Sequence, residues 1–195
     1  MKLIVGLGNP GHTFHDTRHN TGFSVIQHLA ERRHVRVDQP IANRQDGRPA
    51  AVFGDYTFEG QSIRLMMPLT MMNESGEALR DVSVPVQDIL VVCDDVNLAM
   101  GAIRVRPEGG AGGHHGLQSC LEVLGTERLP RLRVGVASGP LPKELSEFVL
   151  TRFTSEEHPV IRQTVAQAAE AVETWAKEGI EVAMNRYNRT QEASR

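Results

Sequence analysis

Four side chains suited to hydrolytic chemistry sit at or near the ends of apolar segments in this sequence. Asn9 follows the apolar run 2–7, Asn73 follows 62–67 and a short Pro68-Leu69-Thr70 continuation, and Asp94 follows 88–93. His19 lies on the segment between the first run and the first expected helix. Open α/β sheets collect ligands at the carboxyl ends of their strands, so these groups converge if the runs are adjacent parallel strands. A histidine beside a carboxylate supplies a general base with an orienting group, and two amides supply neutral hydrogen-bond donors. Such a set can hydrolyse an ester without a metal or a covalent nucleophile. Taken singly, each Asn or Asp after a strand is also what an ordinary turn requires. The coincidence at several strand ends is what points to a site.

Other patterns compete for the same residues. Gly6-Leu7-Gly8-Asn9-Pro10-Gly11 fits the dinucleotide fingerprint, with Asp38 after a possible strand at 35–37. Against it, Pro10 removes a backbone N–H from the loop, and the helix is expected to begin near residue 20, well past Gly11. His12, His15 and His19 would share one helical face and suit a metal, but the flanking Gly11 and Asn20-Thr21-Gly22 favour a loop, where the spacing loses its meaning. The glycine-rich loop 109–113 before His114 could present backbone N–H groups to an anion, or simply let a helix approach the sheet. Cys93, inside a strand, and Cys120, among Leu117, Leu121 and Leu124, read as core. Met66, Met67, Met71 and Met72 offer an adaptable apolar surface near Asn73, with core packing as the plainer reading.

The elements that must position these residues alternate between strand and helix. Strands are expected at 2–7, 51–58, 62–67, 88–93, 102–105 and 132–136, with Glu59-Gly60-Gln61 closing a hairpin. Helices are expected at 22–33 (Asn20 or Thr21 as N-cap), 72–81, 115–124, 156–177 and 180–187. No linker, repeat or low-complexity tract interrupts them. The pattern is that of a single α/β domain over 1–190 with a mixed sheet, and 191–195 as a flexible tail.

Composition narrows the class. The chain has 195 residues, 40% hydrophobic and 23% charged, ordinary for a soluble globular protein. No apolar run reaches the roughly 18 residues of a membrane span. The opening Met1-Lys2-Leu3-Ile4-Val5-Gly6 shows no secretory leader pattern, and two cysteines make no disulfide framework, so a reducing cytoplasm is expected. The net charge of −3 argues against a generic nucleic-acid coat. Between 104 and 133, however, five Arg face three Glu, a local basic patch able to hold a few phosphates.

Several segments, in order, resemble the signature of the bacterial peptidyl-tRNA hydrolase family. They are Gly6-Leu7-Gly8-Asn9-Pro10-Gly11, Thr17-Arg18-His19-Asn20, Met72-Asn73-Glu74-Ser75-Gly76, the Asp94 turn, Gly112-Gly113-His114-His115-Gly116 and Arg131-Leu132-Arg133-Val134-Gly135. The resemblance implies a Rossmann-like single domain, monomeric, without metal or nucleotide, acting on peptidyl-tRNA. His19 would activate water, Asp94 would hold its imidazole, and Asn9 would stabilise charge on the ester carbonyl. Asn73, Met72, Phe14, His114 and His115 would contact substrate, and Arg106 and Arg133 would hold tRNA phosphate. Three positions depart from the family pattern. His115 stands where an Asn is expected to contact substrate, Phe14 where Tyr is common, and Asn97 where an acidic residue is expected. A non-catalytic RNA-binding relative is the alternative of another class; retention of the His–carboxylate pair favours the enzyme, since RNA binding needs neither.

Overall fold

The computed structural model describes residues 1–42 and 47–188. Strand β1 (Lys2–Gly6) leads through two short 3-10 turns, His12–Phe14 and Arg18–Asn20, into helix α1 (Thr21–Arg33). Strands β2 (Gln39–Ala42), β3 (Pro49–Phe58) and β4 (Gln61–Pro68) precede a run of 3-10 turns, Met72–Leu79. Then come β5 (Ile89–Ala99), β6 (Ile103–Arg106), α2 (His115–Leu124) and β7 (Arg131–Ala137). Helices α3 (Leu145–Val149), α4 (His158–Glu178) and α5 (Ile180–Tyr187) close the chain. The strands form one mixed sheet in the order β2-β3-β4-β1-β5-β7-β6, with β4, β1, β5 and β7 mutually parallel. The expected mixed sheet flanked by helices is therefore the observed one.

Alternation along the central strands builds two cores. Leu3, Val5, Ile89, Val91 and Cys93 face α2 and the 72–79 turns, whereas Ile4, Leu90 and Val92 face α1 and α4. A strand covered on both sides must be apolar at every position, which is why β1 and β5 read as continuous apolar runs. After β1 the chain fills one side of the sheet as far as β4, then crosses to β5 on the other side. The carboxyl ends of β1 and β5 thus form a topological switch point, where a crevice opens.

Two local features set the geometry there. Helix α1 lies so close to the sheet that a side chain at Gly22 would meet Leu7 N and Val92 O at 2.4 Å. In the β3–β4 hairpin, Glu59 and Gly60 have φ of 46° and 81°, as a two-residue I′ turn demands.

Three local expectations need correction. Residues 72–81 are not an α-helix: Ser75 Oγ donates to Met72 O (2.8 Å), and Gly76 N donates to Ser119 Oγ of α2 (3.0 Å). The i→i−4 bond that would start the helix is replaced by a tertiary one, and 3-10 turns result. Residues 35–37 form no strand. Val35 N caps α1 by donating to Ala30 O, and the sheet resumes only at β2, antiparallel to β3. Finally, β5 does not end at Cys93. Asp94 and Asp95 pair with Val134 and Gly135 of β7, so Asp94 is a strand residue projecting just past the end of β1 rather than a turn.

The tail 191–195, like 189–190 at the end of the expected domain, lies outside the described residues. Among the described residues no helix is long and apolar enough to cross a membrane.

Gly22→Ala is expected to cost about 2–3 kcal/mol of stability, because its Cβ would press on backbone that cannot yield. Urea unfolding of the variant checks this; an unchanged midpoint would mean that α1 can lift off the sheet without loss.

Candidate active site

The segment that follows β1 is held rigidly before it reaches α1. Asn20 occupies the N-cap position of α1 but makes no side-chain cap. Its Oδ1 instead accepts from Asn9 N (2.8 Å) and its Nδ2 donates to Asn9 O (2.9 Å). With the backbone of Asn9 fixed in this way, its own Oδ1 accepts from Met72 N at 2.7 Å. The Asn9 amide is thereby oriented, and its Nδ2 donor is left without a partner among the described residues. Asn9 is only 4% exposed.

Arg18 anchors the other end of the same segment from within the core. Its guanidinium donates to both oxygens of Glu157 (2.9 and 2.8 Å), to Val136 O (3.2 Å) and to Thr151 Oγ1 (3.2 Å), and stacks near Phe148 and Phe153. Arg18 N also donates to Thr151 O, and Thr17 bridges Arg152. The stretch 151–152 that follows α3 is therefore tied to the Thr17–Arg18 turn.

His19 lies between these anchors and meets Asp94 of β5. His19 Nδ1 is 2.9 Å from Asp94 Oδ1, and His114 Nε2 is 3.0 Å from the same oxygen. The two rings lie 4.8 Å apart, tilted by 48°. An ionised carboxylate only accepts hydrogen bonds, so both ring nitrogens carry protons. His114 is locked in that form, because its Nδ1 accepts from Leu117 N (3.1 Å) as the cap of α2. For His19 the consequence is an Nε2 that carries a lone pair, available as a base. Burial alone would push the Asp94 carboxyl up, but the charge and hydrogen bonds of His114 and His19 outweigh it and hold it well below the usual carboxylate range.

His19, Asp94 and His114 line a cavity of about 210 Å³ together with Asp95, His115 and Arg133, roofed by Leu145, Ser146 and Val149 of α3. Arg133 is ion-paired with Asp95 at 3.1 Å. Asn9 lines a different cavity, with His12, His15, Asn20 and Phe23. Met72 is buried against the start of α2, where a side chain at Gly116 would strike its Sδ, and Asn73 beside it is exposed. Phe14 is half-buried in the 12–14 turn, and Arg106 is exposed on the edge strand β6. The structure thus gathers His19, Asp94, His114, His115 and Arg133 around one cavity and joins Asn9 to Met72. It leaves Phe14, Asn73 and Arg106 outside that cavity.

The competing patterns do not assemble. His12 and His15 line the Asn9 cavity while His19 faces Asp94. A different trio, His19, Asp94 and His114, does bring ligand-type atoms within 4.8 Å of one another. Metal at His114 Nε2 would, however, put a proton on Nδ1 facing the Leu117 N–H, and the cap would be lost. The donor set suits shared protons better than a metal. The dinucleotide reading loses its frame as well: α1 begins at Thr21, and Asp38 is an exposed partner of Arg36. Burial raises the Cys120 thiol to about 12 and raises Cys93 too, so neither is a nucleophile at neutral pH. Within the basic stretch, Arg131 is buried and spent on Leu129 O, Gly110 O and Glu127 O, pinning the glycine loop.

The reading of residue types missed Asn20, Arg18 and the double use of Asp94. Arg18 and Asn20 flank His19 in the Thr17–Asn20 signature segment, which is where a signal existed. The second bond to Asp94 had none.

Comparison with known proteins places this geometry. Residues 3–195 match the family model described as peptidyl-tRNA hydrolase. A peptidyl-tRNA hydrolase of Syntrophomonas wolfei is 39% identical over 192 residues, covering 96% of this chain and 100% of the relative. One from Chlorobaculum tepidum is 42% identical, covering 96% and 98%. The crystal structure of peptidyl-tRNA hydrolase from Acinetobacter baumannii superposes with a TM-score of 0.85 at 30% identity, covering 97% of this chain and 95% of that one.

The Arg18 anchor carries a pH signature. Burial alone would raise the Glu157 carboxyl, but hydrogen bonds from Ser138, Thr154 N and Arg18, with the charge of Arg18, lower it from 4.5 to about 2. A depressed folded value means that its stabilisation is complete above pH 4.5 and lost as the pH falls toward 2. Glu157→Gln is expected to flatten the acid limb of stability in that window; an acid unfolding profile of unchanged slope would contradict it.

Proposed function

The chain belongs to the peptidyl-tRNA hydrolase family, and we propose that His19 is the general base with which it hydrolyses the ester between the peptide and the 3′-terminal ribose of peptidyl-tRNA. One observation carries this reading: Asp94 takes the proton-bearing Nδ1 of His19 at 2.9 Å and so leaves Nε2 as the acceptor. Water gives its proton to Nε2 and its oxygen attacks the ester carbonyl carbon. Asp94 stabilises the imidazolium that forms, as a buried carboxylate beside a histidine does. The oriented Nδ2 of Asn9 donates to the oxyanion of the tetrahedral intermediate. As the intermediate collapses, His19 returns the proton to the ribose oxygen, which leaves. Asn73, Met72 and Phe14 contact the substrate, with His114 and His115 at the start of α2.

Arg133 and Arg106 serve the tRNA phosphates in this reading. The pairing of Arg133 with Asp95 tempers its charge until a phosphate competes for it. The free, buried thiols suit a reducing cytoplasm, and family likeness favours a monomer built as one domain.

His115, where the family pattern has Asn, is exposed at the mouth of the cavity and makes no bond that the His19–Asp94 pair depends on. A neutral imidazole offers one donor where an amide offers a donor and an acceptor. Substrate grip is altered and the chemical machinery is kept.

Hydrolysis of an N-blocked aminoacyl-tRNA in excess chelator tests the mechanism. The intact protein is expected to turn over, and His19→Ala to lose about 10²–10⁴-fold in kcat. Tight tRNA binding by the intact protein without cleavage would instead mark a non-catalytic RNA-binding relative. His115→Asn is expected to raise kcat/KM or leave it nearly unchanged. A collapse of turnover would assign His115 a catalytic job of its own.

A further inference from the structure

The second histidine on Asp94 has neither ring nitrogen to spare. His114 Nε2 donates to Asp94 Oδ1 (3.0 Å), and its Nδ1 accepts from Leu117 N (3.1 Å). Substrate can therefore meet this ring only by its carbon edge. The side chains of His114 and Asp94 are 9% and 2% exposed, so the bond between them is sheltered from water. A ring with no free polar atom, bonded to the partner of the base, can act on the reaction only through that partner.

The α2 cap also fixes the charge of His114. A second proton would have to sit on Nδ1, against the Leu117 N–H, and the cap would break. His114 thus stays neutral while His19 alternates between imidazole and imidazolium. A buried carboxylate beside an imidazole favours the protonated ring, whereas a hydrogen bond donated to that carboxylate from elsewhere stabilises its charge and lessens the pull. With His19 as its one imidazole partner, Oδ1 would hold a proton on the base before any water arrived.

We propose that His114 is a positioning residue for the hydrolysis, which shares Asp94 Oδ1 with His19 and so keeps His19 a free base at neutral pH. The inference rests on the reading of His19 as general base and deepens it. The other charged groups at this cavity are Asp95 and Arg133, paired with each other at 3.1 Å, and His115 at the mouth. Helix α3 faces the cavity with Leu145, Ser146 and Val149, and Arg18, beside His19, is turned to Glu157. None of these bonds to either imidazole.

Two variants separate the cap from the carboxylate bond. Asparagine puts an oxygen where Nδ1 lies and is a preferred N-cap residue, but its amide ends well short of the position of Nε2. His114→Asn therefore keeps the α2 cap and gives up the Asp94 bond, and His114→Ala gives up both. The measurement is kcat/KM against pH for an N-blocked aminoacyl-tRNA. The proposal expects the acid limb to move to higher pH in both variants. At about pH 6 the loss is roughly three- to tenfold, and near pH 8.5 the rate is within about twofold of the intact protein. An acid limb unmoved in His114→Asn would overturn the proposal. So would a loss of the same size at every pH, which would mark His114 as a substrate contact or a purely structural residue. An intact protein that cleaves but shows no acid limb, or that does not cleave at all, would overturn the His19 reading itself, a result distinct from the other two.

Discussion

A single buried oxygen, Asp94 Oδ1, accepts from two imidazoles at once, and much of the molecule is arranged so that it can. One acceptor fixes the tautomers of His19 and His114 together: each must bring a proton to it, and each is left with its other nitrogen as a lone pair. The two lone pairs meet different fates. That of His114 is consumed by the first turn of α2, whereas no described residue takes that of His19. One carboxylate thus leaves one histidine as a helix cap and the other with a lone pair that no described residue takes. A buried charge of this kind is tolerated only when its hydrogen bonds are complete, so the site depends on the placement of both rings to within a few tenths of an ångström.

That placement follows from the layering. Asp94 projects past the end of β1 because β5 continues along β7 after β1 has stopped. His19 reaches it because Gly22 lets α1 sit directly on Leu7 and Val92, and because Arg18 and Asn20 hold the intervening turn from opposite sides. His114 reaches it because the glycine loop is pinned from below by Arg131. None of these supports touches the reacting atoms. They convert a loop, usually the most variable part of an α/β fold, into a rigid mount.

The strand runs, the hairpin and the helices at 22–33, 115–124 and 180–187 were legible in the sequence because their periodicity is local. The convergence of His19 and Asp94 was legible too, because strand-end positions are coupled to topology. What escaped was decided by partners distant in sequence. The segment 72–79 has helical spacing, yet Ser119 of α2 takes the Gly76 N–H and unravels it into 3-10 turns. Asp94 reads as a turn residue until β7 is known to pair alongside it. Asn20 carries the signature of an N-cap, and only the nearby backbone of Asn9 explains why its amide turns away. Phe14, Asn73 and Arg106, carried over from the family pattern, sit outside the His19 cavity; substrate, not the protein, would have to bring them together.

The Asn9–Pro10 junction has a consequence of another kind. Asparagine ages when the backbone nitrogen of the next residue attacks the side-chain amide and closes a cyclic imide, ending as a carboxylate. Proline has no N–H with which to do so. The Asn9 amide is further held by Met72 N, and its backbone is clamped on both sides by Asn20. The Asn9 amide is therefore shielded from the slow chemistry that would turn a neutral donor into a negative charge. The proline that spoils the loop as a pyrophosphate cradle keeps that amide an amide.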